Sequence, residues 1–93
     1  MRHYEMLVLL SAELEEPKDE IEKIEEVVRN LGGEIAKTDV WGKKHLAYPI
    51  QKKNEGIYVL FNLSLDPAQT FELKRVFGLR PNIYRQMIIL LDE

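Results

Sequence analysis

Residues 41–61, WGKKHLAYPIQKKNEGIYVLF, decide how the rest of the chain is read. They describe one long β-hairpin. Its first strand runs from Glu34 to Ile50, is interrupted at Gly42 and carries Pro49. Its turn is the polar run Gln51 to Gly56, and its return strand is Ile57 to Leu65. Proline has no N–H to give a ladder, so Pro49 places the first strand at a sheet edge. Glycine at position 42 is the expected site of a bulge that bends the strand. Lys43, Lys44, His45, Lys52 and Lys53 crowd the strand and its turn. A lysine-rich edge discourages unwanted strand pairing, and it also offers a strip for phosphate.

Upstream of the hairpin lie one strand and one helix. Arg2 to Leu10 alternates Tyr4, Met6, Val8 and Leu10 against His3, Glu5, Leu7 and Leu9. Apolar residues on both sides suit a central strand. Ser11 to Glu16 is a polar loop. The spacing of Ile21, Ile24, Val28 and Leu31, with Val27 at the margin, predicts a helix over Pro17 to Leu31. Proline fits its first turn, and Gly32–Gly33 supply its end. Asp19 with Lys23 and Glu25 with Arg29 are i,i+4 pairs, each worth only ~0.2–0.5 kcal/mol. The acids of this helix read as a solvated face.

Downstream, Asp66–Pro67 opens a second helix, an N-cap acid followed by proline. Thr70, Leu73 and Phe77 form its expected inner stripe, with Phe71 and Val76 flanking, and Gly78 closes it. A turn with Pro81 leads to a last strand, Ile83 to Leu91. Arg85, Met87 and Ile89 alternate there against Gln86, Ile88 and Leu90.

The order β-α-β-β-α-β, with two right-handed crossovers about a hairpin, is ferredoxin-like. The fold class is α+β, a four-stranded antiparallel sheet with two helices on one face. Strands one and three are central and strands two and four are edges. The face without helices then carries Leu7, Leu9, Tyr58, Leu60, Met87 and Ile89. A sheet face left to water normally turns polar, so this apolar set is the expected surface for a macromolecular partner.

Bulk properties narrow the function. The 93 residues make a single domain, 1–93, with one two-layer core. There are no cysteines, which excludes disulfides, thiolate metal sites and cysteine nucleophiles. No apolar run reaches the ~18 residues of a membrane span. MRHYE lacks the apolar segment of a signal peptide, so a cytoplasmic location is expected. His3 and His45 are too few and too isolated for a metal site, and no cofactor is expected. The net charge is −3 but unevenly spread. Eight acids and two lysines fall between Glu13 and Glu26, and the remainder, with 11 basic and 8 acidic residues, is +3. The local field, rather than the total, governs binding to a polyanion.

MRHYE, the WGKKHLAYPI block and Ile83–Tyr84–Arg85 together resemble the family of the sixth protein of the bacterial small ribosomal subunit. The likeness runs in order over nearly the whole chain, and the WGKKHLAYPI block is its most specific part. The resemblance implies the same fold and a structural role in the small subunit. It implies binding to the central domain of small-subunit ribosomal RNA together with the eighteenth small-subunit protein. A basic partner would then neutralise much of the phosphate. Arg2, Lys43, Lys44, Lys52, Lys53, Arg80 and Arg85 become the candidate RNA-binding residues. Arg2 and Arg85, on neighbouring strands, are expected to approach one another and fork onto phosphate. Two departures stand out. Many members of the family run on past the position of Glu93 with a tail that reaches the partner. Pro81 stands where the family more often has an acidic or amide residue, so that turn is expected to differ.

Three other classes compete. A stand-alone RNA-recognition motif shares the topology and stacks bases on aromatics of strands one and three. Tyr58 to Phe61 matches the end of its third-strand signature, but Asn54, Glu55 and Gly56 do not match its beginning, and strand one has no central aromatic. Trp41 and Tyr48 read as packing residues. An enzyme is disfavoured: the loop Ser11 to Glu16 lacks the glycines and arginine of an acylphosphatase, and no acid–base or nucleophile constellation emerges. A non-catalytic homodimer closed through the open face remains the third reading.

Overall fold

A computed structural model of the chain describes residues 1–50 and 53–91, with side chains for all of these except 43–50, 53 and 54. Its elements are β1 (Arg2–Ser11), α1 (Pro17–Asn30), β2 (Glu34–Ile50), β3 (Lys53–Leu65), a 3-10 turn (Pro67–Gln69), α2 (Thr70–Gly78) and β4 (Ile83–Leu90). The sheet order is β2-β3-β1-β4 and every neighbouring pair is antiparallel. The ferredoxin-like arrangement and the edge positions of β2 and β4 are thus as the sequence predicts. The return strand begins earlier than expected, at Lys53, because the chain pairs closer to the turn, Ile50 opposite Lys53.

The core lies between the sheet and the helices. Tyr4, Met6, Val8 and Leu10 of β1 and Ile57, Val59, Phe61, Leu63 and Leu65 of β3 form its floor. Ile21, Ile24 and Val28 of α1, with Leu73 and Phe77 of α2, form its roof. Leu31 and Val27 pack at its margin, as the helical spacing requires. The expectation for Phe71 fails: it is 78% exposed. It precedes Leu73 by two residues, about 200° around the helix, so it faces away from the sheet.

Local chemistry sets the ends of these elements. α1 closes with Gly32 N–H donating to Arg29 O and Gly33 N–H donating to Val28 O, both at 2.9 Å. This Schellman pairing needs the left-handed residue that Gly32 supplies at φ 85°. Gly33 then passes so close to β3 that a Cβ would lie 2.6 Å from Ser64 O. Asp66 Oδ1 accepts from Ala68 N–H at 3.0 Å and starts the 3-10 turn that leads into α2. The turn from Arg80 to Ile83 closes by a bond from Ile83 N–H to Arg80 O at 3.2 Å, with Pro81 at its second position.

The long hairpin is not straight. Its register slips between Ile35 and Lys37 and again between Val40 and Gly42. Ala36 and Trp41 are the extra residues, and Gly42 takes φ 86°. The bulge expected at Gly42 is therefore present, and it leaves Trp41 outside the ladder beside Tyr58, ring centres 6.4 Å apart.

Candidate partner and nucleic-acid interfaces

Cross-strand register orders the uncovered face into rows. Read from β2 to β4, one row is Lys37, Asn62, Glu5 and Ile89. The next is Asp39, Leu60, Leu7 and Met87. The third is Gly42, Tyr58, Leu9 and Arg85. Every residue expected on the partner surface falls on this face, but they are not equivalent. Met87, on the β4 edge, is 56% exposed, and Ile89 is also exposed. Leu7, Tyr58 and Leu60 are half-buried by their own neighbours. Leu9 is only 3% exposed, although no helix covers it. A Cβ placed on Gly56 would sit 2.2 Å from Leu9 Cδ1. The leucine therefore lies down over the bare backbone of Gly56. A hollow of about 440 Å3 remains, lined by Leu7, Leu9, Tyr58, Arg85, Gln86 and Met87.

The cationic positions separate into three groups. Lys43 and Lys44 sit on edge strand β2, with backbone partners Ile57 and Gly56 on β3. Lys53 opens β3 opposite Ile50. The side chains of these three, and all of Lys52, lie outside the described residues. The lysine-edge expectation therefore rests on strand placement for three of them.

Arg2 and Arg85 do not come together. Arg2 stands opposite Leu65 at the start of β1, whereas Arg85 stands opposite Leu9 near its end. Seven residues at about 3.3 Å each put the two backbone positions roughly 23 Å apart along the strand direction. Antiparallel pairing of β1 with β4 reverses the order that the linear sequence suggested. Arg2 is exposed but, opposite Leu65, has the strand parity of the helix-covered side, whereas Arg85 lines the apolar hollow on the open face.

Arg80 is engaged elsewhere. Its Nε donates to Glu20 Oε2 at 2.5 Å and its second nitrogen to Glu20 Oε1 at 3.1 Å. The Glu20 side chain is 6% exposed and that of Arg80 27%. The Arg80 hydrogen bonds hold the Glu20 carboxyl below the usual carboxylate value, against the opposing effect of burial. The same carboxylate keeps the Arg80 guanidinium more firmly protonated. The expectation that Arg80 serves phosphate meets a bidentate fork already occupied by an acid. Sequence reasoning did not single out Glu20, because its acidic neighbours on α1 are solvated and its partner is sixty residues away. Glu25 is the other acid of that helix with a tertiary role. It accepts from Thr38 Oγ1 at 2.6 Å and lies 3.8 Å from Arg29, the predicted i,i+4 pair.

Among the described residues no three His, Cys, Asp or Glu side chains are grouped as a metal site, and no helix is long and apolar enough to cross a membrane. The face offers an apolar floor, a hollow with one cation, and a polar end. It is equipped for contact with macromolecules.

Comparison with known proteins bears on the family and the fold. The family model described as ribosomal protein S6 matches residues 3–90. The small ribosomal subunit protein bS6 of Caldanaerobacter subterraneus subsp. tengcongensis is 45% identical over 95 aligned positions that cover all of both chains. The protein of that name from Micrococcus luteus is also 45% identical, over all of this chain and 94% of its own. The crystal structure of 30S ribosomal protein S6 from Thermotoga maritima superposes with a TM-score of 0.89 at 26% identity, covering 96% of this chain and 86% of that one.

Proposed function

Since the chain belongs to the ribosomal protein S6 family of the small ribosomal subunit, we propose that it binds small-subunit ribosomal RNA, in the central domain, jointly with the eighteenth small-subunit protein. The observation that carries this reading is the apolar sheet face, which the chain's own helices leave uncovered and whose β4 column stays exposed. Such a surface is completed by a protein partner. RNA phosphate falls to Arg2 and to the lysines of the hairpin, Lys43, Lys44, Lys52 and Lys53. The partner supplies the further positive charge that a chain of net charge −3 lacks. Arg80 is assigned to the fold through Glu20.

The open face does not favour solitary base reading. β1 offers Leu7 and Leu9 there, and β3 offers one aromatic, Tyr58, where a recognition motif stacks bases on both central strands. A homodimer closed through the same face is the competing use of this surface. Titration of a central-domain RNA fragment with the chain, alone and with the eighteenth protein, tests the proposal. Tighter RNA binding in the presence of the partner is expected. Absence of pairing between the two proteins, with a tight dimer of this chain by light scattering, would refute it.

A further inference from the structure

We propose that the hollow beside Gly56 is a socket for one large apolar side chain of the partner protein, presented with a carboxylate that pairs with Arg85. This deepens the reading above and rests on it, because the occupant belongs to the protein that covers the open face.

The socket follows from two residues. Glycine at 56 leaves no side chain on β3 where Leu9 of β1 would otherwise stand upright. Leu9 lies over that gap and is withdrawn from the face. The face is thereby lowered between Leu7, Tyr58 and Met87, and the space measures about 440 Å3. Four of the six lining side chains are Leu7, Leu9, Tyr58 and Met87. An apolar hollow within an exposed apolar face is where an interface places a central anchor.

The charge at the mouth specifies what accompanies the anchor. Arg85 is exposed, and among the described residues it forms no ion pair with an acid. Asp39 shares the face but stands on β2, three strand spacings away, or about 14 Å. Glu5 stands on β1 four residues from Leu9, the partner of Arg85, or about 13 Å along the strand. Among the described residues no carboxylate lines the hollow. A guanidinium beside a surface that dries on contact needs its partner supplied across the interface. A nucleotide would provide the negative charge, but its base would meet mainly aliphatic walls. Its polar edge would go largely unpaired. The lining therefore favours protein over RNA.

The probe is the purified eighteenth small-subunit protein of the same organism, titrated into the full chain. Met87→Trp overhangs the hollow from an exposed edge position, and Leu7→Phe fills it from the floor. Each is expected to weaken pairing at least tenfold with an unchanged melting temperature. Arg85→Gln is expected to weaken it about tenfold at low salt and to converge with wild type at ~1 M salt, where screening removes the charge contribution. Leu60→Asp, outside the hollow, reports on the face as a whole. Weak pairing of Leu60→Asp with normal pairing of both filling variants would overturn the socket and leave the face reading intact. Normal pairing of all four would overturn both. A preformed pair carrying Arg85→Gln should bind central-domain RNA with the wild-type salt slope. A slope reduced by about one would give Arg85 to a phosphate and overturn the carboxylate assignment.

Discussion

Replacing Arg80 with methionine isolates the Glu20 pair, and its cost follows from the geometry. The substitution removes two hydrogen bonds to a carboxylate that is 6% exposed. Breaking a fully buried ion pair costs about 3–5 kcal/mol. Arg80 keeps 27% of its side chain in solvent, so water can reach the vacated side. The expected loss is nearer that of two charged hydrogen bonds, about 2–3 kcal/mol. For a chain of this length that lowers Tm by roughly 10–20 °C. The sign with pH is equally defined. In the wild type the Glu20 carboxyl is held below its usual 4.5. Its contribution is therefore present above that value and lost as pH falls through the lower, folded one. In Arg80→Met, burial without the cation favours the protonated acid, and the variant's deficit should shrink as pH falls below 4.5. Urea denaturation at pH 7 and pH 3 measures both effects, and a double-mutant cycle with Glu20→Gln isolates the coupling. A deficit of the same size at both pH values, with coupling under about 0.5 kcal/mol, would refute the reasoning. The variant should also leave the salt slope of RNA binding unchanged.

Three further outcomes are expected. Lys43→Ala with Lys44→Ala should leave folding intact and flatten the salt dependence of RNA binding by about 1–2 in slope, measured by titration at several salt concentrations; an unaltered slope would remove both from the phosphate contact. Leu60→Asp should abolish pairing with the eighteenth protein at micromolar concentrations while shifting Tm little, as read by calorimetry of the free chain and of the mixture. Gly33→Ala should cost about 1–3 kcal/mol in urea denaturation, because its methyl would press on the Ser64 carbonyl of β3; a cost below about 0.5 kcal/mol would show that the strand gives way freely.

The elements that the sequence made legible are those governed by near neighbours. Period-two alternation in β1 and β3 and the stripe of Ile21, Ile24 and Val28 depend on local geometry alone. Pro49 and Gly42 carry their meaning in their own backbone chemistry. The topology then placed the open face, since only one arrangement buries both helices against one side of the sheet. The location of Leu7, Leu9, Tyr58, Leu60, Met87 and Ile89 on the helix-free face therefore follows from strand parity alone. What stayed hidden depends on distant residues. Leu9 looks exposed by alternation and is buried because Gly56, forty-seven residues on, has no side chain. Arg80 looks like a free cation and is matched to Glu20. Arg2 and Arg85 look adjacent on neighbouring strands and are separated by antiparallel order. Phe71 was assigned to the core flank from apolar character, although its helical phase sets it outward.

The two margins of the sheet carry unequal protection. Along β2 the lysines at 43 and 44 give an incoming strand a cationic neighbour. β4, with the sequence IYRQMIIL, has a single charge, and Met87, Ile89 and Leu90 stand out along it. Such a border is a template for adventitious strand addition. A free edge of that kind tolerates little crowding, so charge introduced along it, as in Ile89→Lys, is expected to raise the concentration at which the isolated chain stays in solution.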